Sequence, residues 1–136
     1  MRRILPLATV ALLAAPAAQA QQIDCMDPQN TNEATFCAEE AWIAADGELN
    51  LAYGLAITMA KRIDERAGLE DRVQDPPAEE LLRDAQRKWI EFRDAACAAE
   101  SQLAEGGTSL GLRTLTCLGR LTLRRTEDLV RFGETN

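Results

Sequence analysis

The sequence predicts an all-α protein: a small antiparallel three-helix bundle stapled by two disulfides. Three observations carry that prediction. Apolar residues recur in alternating steps of three and four along three segments, the spacing of one buried helix face. Two short breaks rich in glycine or proline separate those segments, and short connections make antiparallel neighbours. Four cysteines, Cys25, Cys37, Cys97 and Cys117, follow what reads as an export leader, the setting in which an even cysteine count forms a disulfide framework. No stretch of any length alternates in the strand period, and no internal repeat is present.

Taken in order, the chain opens on its address. Arg2 and Arg3 form a basic start, Ile4 to Ala15 is an apolar stretch interrupted by Pro6, and Ala18-Gln19-Ala20 is a small-x-small cleavage pattern. Residues 1–20 read as a secretory signal peptide cut after Ala20, leaving residues 21–136 as one helical domain. The apolar run is shorter than the ~20 residues a membrane span needs. Gln22-Ile23-Asp24 before Cys25 is no small-residue lipobox. The expected product is periplasmic or secreted, with no membrane anchor after cleavage.

Helix one opens at Asn30, where Glu33 three residues on resembles a capping box, and runs to about Arg66. Its stripe is Trp42, Asp46, Leu49, Tyr53, Ala56, Ala60 and Ile63, with Gly47 and Gly54 expected to weaken or bend it. Gly68 to Pro77 is a break, and Asp75-Pro76-Pro77 reads as the start of the next helix. Helix two runs from about Ala78 to Ala104 with the stripe Leu82, Ala85, Trp89, Phe92, Ala96, Ala99 and Leu103. Glu105 to Ser109 is a turn. Helix three runs from about Leu110 to Phe132 with the stripe Leu118, Thr122, Arg125, Leu129 and Phe132.

Among three possible cysteine pairings, spacing favours Cys25–Cys37 and Cys97–Cys117. The second pair brackets the Gly106-Gly107 turn, nine residues before it and ten after, so a helical hairpin sets the two sulfurs at one height. Such loops contribute about 3 kcal/mol each in the chain-entropy model.

Composition removes several chemistries. The chain has no histidine, which excludes Ser-His-Asp and Cys-His catalysis and histidine-ligated zinc. No CxxC is present, the two serines, Ser101 and Ser109, lie in no nucleophile motif, and no cofactor or metal is expected. Asp46-Gly47-Glu48 resembles a calcium-loop fragment, but Trp42 and Ala44 stand where oxygen ligands are needed. The expectation is a protein that is not an enzyme. Removing Arg2 and Arg3 leaves 13 basic against 22 acidic residues, a formal charge of −9, which excludes general nucleic-acid binding. Residues 21–60 hold seven acids and no base, while residues 106–136 hold five bases and three acids.

The residues that break the apolar stripes are the candidates for a site. Asp46, Asn50, Tyr53, Arg93 and Arg125 fall within about 10–15 Å of one level in an antiparallel layout. Charges on buried faces must be paired, so a polar network across the three helices is expected, with Asp46 pairing Arg93 or Arg125. It reads either as a structural device that fixes helix register or as a binding cleft.

These residues fall in a longer pattern: Ala45-Asp46-x-x-Leu49-Asn50-x-x-Tyr53, then Gln86-x-x-Trp89-x-x-x-Arg93-Asp94-x-x-Cys97, then Gly106-Gly107-Thr108, then Cys117 with Thr122-x-x-Arg125-x-x-x-Leu129. The pattern resembles the LprI-like domain, a family of exported bacterial proteins named for a lysozyme inhibitor, over about Cys25 to Leu129. The family's namesake is a lipoprotein, which this chain is not expected to be. The resemblance implies a small secreted helical domain and singles out Asp46, Asn50, Tyr53, Trp89, Arg93, Asp94, Thr122 and Arg125 with Cys97 and Cys117. The resulting expectation is an exported binding or inhibitor protein whose partner is a cationic lysozyme. The alternative is an accessory or structural interaction domain of the bacterial envelope without lysozyme activity.

Overall fold

A computed structural model describes residues 23–104, 107 and 109–134. The expected leader and its cleavage site lie outside these residues, as do Glu105, Gly106 and Thr108 of the expected turn. Three helices make up the described residues: α1 (Thr31–Leu69), α2 (Ala78–Ser101, extended by a 3-10 turn over Gln102–Ala104) and α3 (Leu110–Glu134). The all-α bundle is therefore as expected, and both disulfides pair as the spacing favours, Cys25 with Cys37 and Cys97 with Cys117, at Cα separations of 5.4 and 5.5 Å.

Local chemistry sets the ends of α1. The Asn30 side chain accepts from the Glu33 amide at 3.0 Å, and the Glu33 carboxylate reaches back to the Gln29 amide at 2.8 Å. Reciprocal capping therefore forms, one residue further back than a standard box. At the other end the Arg72 amide donates to the Ala67 carbonyl and the Asp71 amide to the Gly68 carbonyl. This is a Schellman closure, with Asp71 at the left-handed position (φ 53°). Gly47 and Gly54 do not interrupt α1, which is one continuous helix, and both glycines face open space.

α1 is long enough to serve as the spine. Gly111 of α3 lies against Thr35, and Gly119 against Trp42, where an added Cβ would meet the Trp42 backbone at 3.8 Å. α1 and α3 thus run parallel and close together, and α2 runs antiparallel between their ends. The last turns of α1 reach the start of α2. There Asp64 accepts the Ala78 and Glu79 amides at 2.7 and 3.0 Å. The N-cap of α2 is Pro77, which has no side-chain bond of its own. The helix starts after Asp75-Pro76-Pro77 as expected, but its side-chain cap comes from another helix, 14 residues earlier. Asp64→Ala will lower the free energy of unfolding by about 1–2 kcal/mol, measured by urea titration. Asp64→Asn, which keeps one acceptor, will recover about half.

The α2 stripe also needs correcting. Phe92 and Leu103 are exposed (60% and 68%), as are Ala85 and Ala99. The buried face is instead Gln86, Arg93, Cys97 and Ser101, with Leu82, Trp89 and Ala96 half-buried beside it. This face has the same 3–4 spacing but polar members, so counting apolar residues picks the neighbouring face. The α3 stripe is as expected, with Leu118, Thr122 and Leu129 buried and Arg125 and Phe132 half-buried.

Candidate functional site

The apolar core falls into two clusters. One contains Leu49, Ala52, Ala56 and Leu129, against which Tyr53, Leu82, Trp89 and Phe132 pack. The other contains Cys97, Cys117 and Leu118, with Trp42 and Leu121. Each helix changes cluster at a polar residue: α1 at Asp46, between Trp42 and Leu49; α2 at Arg93, between Trp89 and Cys97; α3 at Thr122, between Leu118 and Leu129. A polar layer therefore crosses the bundle between the two apolar cores.

Arg93 is the centre of that layer. Its guanidinium lies 5.1 Å from the Trp89 ring centre and 6.0 Å from that of Trp42, so it joins the two clusters through aromatic faces. Trp89 carries a second cation on it, Arg125, at 6.0 Å. The Arg93 side chain is 10% exposed, whereas its partners Asp46 and Asp94 are 43% and 57% exposed, at 3.7 and 2.9 Å. The cation is buried along its stem and plane, and both carboxylates meet it from the wet side. That geometry spares two acids the cost of full burial.

The other members separate into three groups. Asn50 donates to Asp46 at 3.1 Å and so steadies the rim. Arg125 does not pair Asp46; its Nε donates to Gln86 Oε1 at 3.0 Å. Of the two partners open to Asp46, Arg93 is the one it takes. Tyr53 lies outside the layer: it packs on the Leu49 cluster and sits beside Arg83. The Arg83 guanidinium is held above its ordinary value chiefly by its hydrogen bond to Glu79, with Tyr53 adding a weaker one. Trp42 Nε1, Thr122 Oγ1 and Arg125 Nη2 are buried and make no hydrogen bond among the described residues.

Two residues of the layer, Trp42 and Gln86, are not among the site candidates the sequence offers. Trp42 fits the apolar stripe of helix one and so reads as ordinary core in the sequence. Gln86 stands outside the apolar stripe, since a glutamine seldom goes inside; its signal is the four- and three-residue steps linking it to Leu82, Trp89 and Arg93. Chemically, the layer offers flat aromatic and guanidinium surfaces rimmed by carboxylates. It has no thiol, since all four cysteines are paired. Among the described residues no cluster of three potential metal ligands occurs, and no helix is long and apolar enough to cross a membrane.

Comparison with known proteins places this architecture. The chain is 33% identical over 137 residues to an uncharacterized protein of Rhizobium meliloti (strain 1021), covering 99% of this chain and 98% of that one. It is also 33% identical over 73 residues to the uncharacterized protein YecT of Escherichia coli (strain K12), covering 52% of this chain and 42% of that one. No solved structure matches it. The family described as lysozyme inhibitor LprI matches residues 25–129, from the first cysteine to the last core leucine. With α1, α2, most of α3, the two disulfides and the Trp89–Arg93 layer inside that span, the chain belongs to the LprI family.

Proposed function

We propose that the protein is an exported binding protein that inhibits a cationic lysozyme, and that it acts by recognition rather than catalysis. The family description supports the inhibitor reading. The leader pattern over residues 1–20 supports export, with residues 21–136 as the mature domain in the periplasm or outside the cell. The observation that carries the partner is the run of seven acids without a base over residues 21–60. Three of those acids are engaged locally: Asp24 accepts from the Met26 amide, Glu33 caps α1, and Asp46 holds Arg93. Glu39, Glu40 and Glu48 are exposed, and the first two lie among the exposed apolar side chains Phe36 and Ile43. An acidic rim around apolar contacts suits a basic protein, with charge setting the rate of approach and the apolar residues holding the complex.

The polar layer then has a supporting role: it holds the α1 docking face in shape. A lytic assay with stoichiometric protein tests this reading. Cell-wall lysis is expected to slow at low salt and to recover as salt is raised, because exposed charges are screened over about 10 Å at 0.1 M. Glu39→Lys with Glu40→Lys is expected to abolish protection while helical circular dichroism stays unchanged. Lysis at the full rate in both salts removes lysozyme as the partner and leaves the envelope accessory role.

A further inference from the structure

α2 covers one side of the α1–α3 pair, and the opposite side is open. Two hollows run along it. One, of about 370 Å³, is lined by Leu55, Arg62, Val130 and Glu134 among others. The other, of about 430 Å³, is lined by Ala41, Leu123, Arg124 and Glu127 among others. Ala41, Glu48, Leu55 and Arg62 follow one another at seven-residue steps on α1, as do Thr116, Leu123 and Val130 on α3. The hollows are therefore two stretches of one groove, about 32 Å long from Ala41 to Arg62. Seven-residue steps are the spacing of a helix seam that takes further helices. Leu55 is 72% exposed, Leu123 47% and Val130 43%, large for apolar side chains aligned in one strip.

The charges on the walls select the occupant. Along α1 the order is Glu48, then Arg62; along α3 it is Arg120 and Arg124, then Glu127 and Glu134. Because α1 and α3 run parallel, with Trp42 beside Gly119, Glu48 stands level with Arg124, and Arg62 and Glu134 line the same hollow. The two walls thus carry acid and base in opposite order, and the six charges sum to zero. A uniformly cationic partner does not match such a surface. A second copy does: a two-fold axis along the groove sets each wall against the opposite wall of the other copy at the same level. Glu48 then meets Arg124, and Arg62 meets the wall that carries Glu134, in the isologous arrangement commonest for homodimers.

We infer that this groove is a self-association surface, and that the protein forms a two-fold dimer through α1 and α3, with Glu48 of each copy facing Arg124 of the other. The inference does not rest on lysozyme binding, which uses the Phe36–Ile43 face. Sedimentation equilibrium of the oxidised protein is expected to give twice the chain mass. Glu48→Arg and Arg124→Glu, each alone, are expected to weaken dimerisation at least about tenfold, since each places like charges together twice. An equimolar mixture of the two variants restores the dimer, because the heterodimer has only opposite pairs. Leu55→Glu gives monomers, with Leu123→Glu as the second variant should the first fail to fold, whereas Phe92→Ser on α2 leaves the dimer intact. A wild-type monomer throughout the micromolar range, a dimer that survives Leu55→Glu and Leu123→Glu, or a mixture that stays monomeric would overturn the inference.

Discussion

Arg93→Ala is expected to lower the free energy of unfolding by about 3 kcal/mol, the largest loss for any exchange of a polar side chain in this protein. Two effects add. The guanidinium leaves the faces of Trp89 and Trp42, 5.1 and 6.0 Å away, where a shielded cation contributes about 1–2 kcal/mol in all. Its buried stem also leaves a gap between the two apolar clusters. The ion pairs add little, because Asp46 and Asp94 are roughly half exposed and screened by water. That division can be checked. Asp46→Asn should cost less than about 1 kcal/mol, whereas Arg93→Met, which keeps volume but no charge, should fall between the two. Urea unfolding followed by tryptophan fluorescence measures all three, since the reporters Trp42 and Trp89 flank the altered side chain.

Replacing both Cys97 and Cys117 by alanine is expected to cost about 3 kcal/mol. The bridge closes a loop of 20 positions and ties α2 to α3 in the cluster that also holds Leu118. Both sulfurs are buried, so the loss includes packing as well as unfolded-chain entropy. Nearby, Arg120 holds Glu100 across the same two helices at 2.6 Å, a surface contact too weak to substitute. Replacing Cys25 and Cys37 should behave differently. That bridge ties residues 23–30, whose hydrogen bonds are local, to the first turns of α1. Its removal frays the amino-terminal segment and shifts the main thermal transition by no more than about 4 °C. Calorimetry of the two variants side by side checks the contrast.

Most of the architecture was legible because it depends on local signals: the Asn30–Glu33 cap, the Gly68–Pro77 break and the 3–4 stripes of α1 and α3. The cysteine pairing was legible because spacing favours it, with Cys97 and Cys117 bracketing the Gly106-Gly107 turn. Within the site, Asp46, Trp89, Arg93, Thr122 and Arg125 stood out because each interrupts or anchors an apolar face. What sequence could not show depends on distance. Asp64 caps a helix that begins 14 residues later, and only packing tells which helix it serves. The buried face of α2 was hidden because its members Gln86, Arg93 and Ser101 look like surface residues until partners on other helices account for them. Tyr53 had the right spacing for the layer but lies two turns beyond Asp46, and at that height the interior is already apolar.

The alanines of α1 have one more consequence. Of its six buried residues, Ala45, Ala52, Ala56 and Ala60 are alanine, so the helices meet over a seam of single methyl groups. Close approach then comes with little apolar area removed from water per residue. Heat capacity follows that area, so unfolding should carry a small heat-capacity increment for a chain of this size. A small increment flattens the dependence of stability on temperature. Such a bundle is modest in strength at its optimum and changes slowly on either side of it, with cross-links supplying what a larger core would otherwise provide.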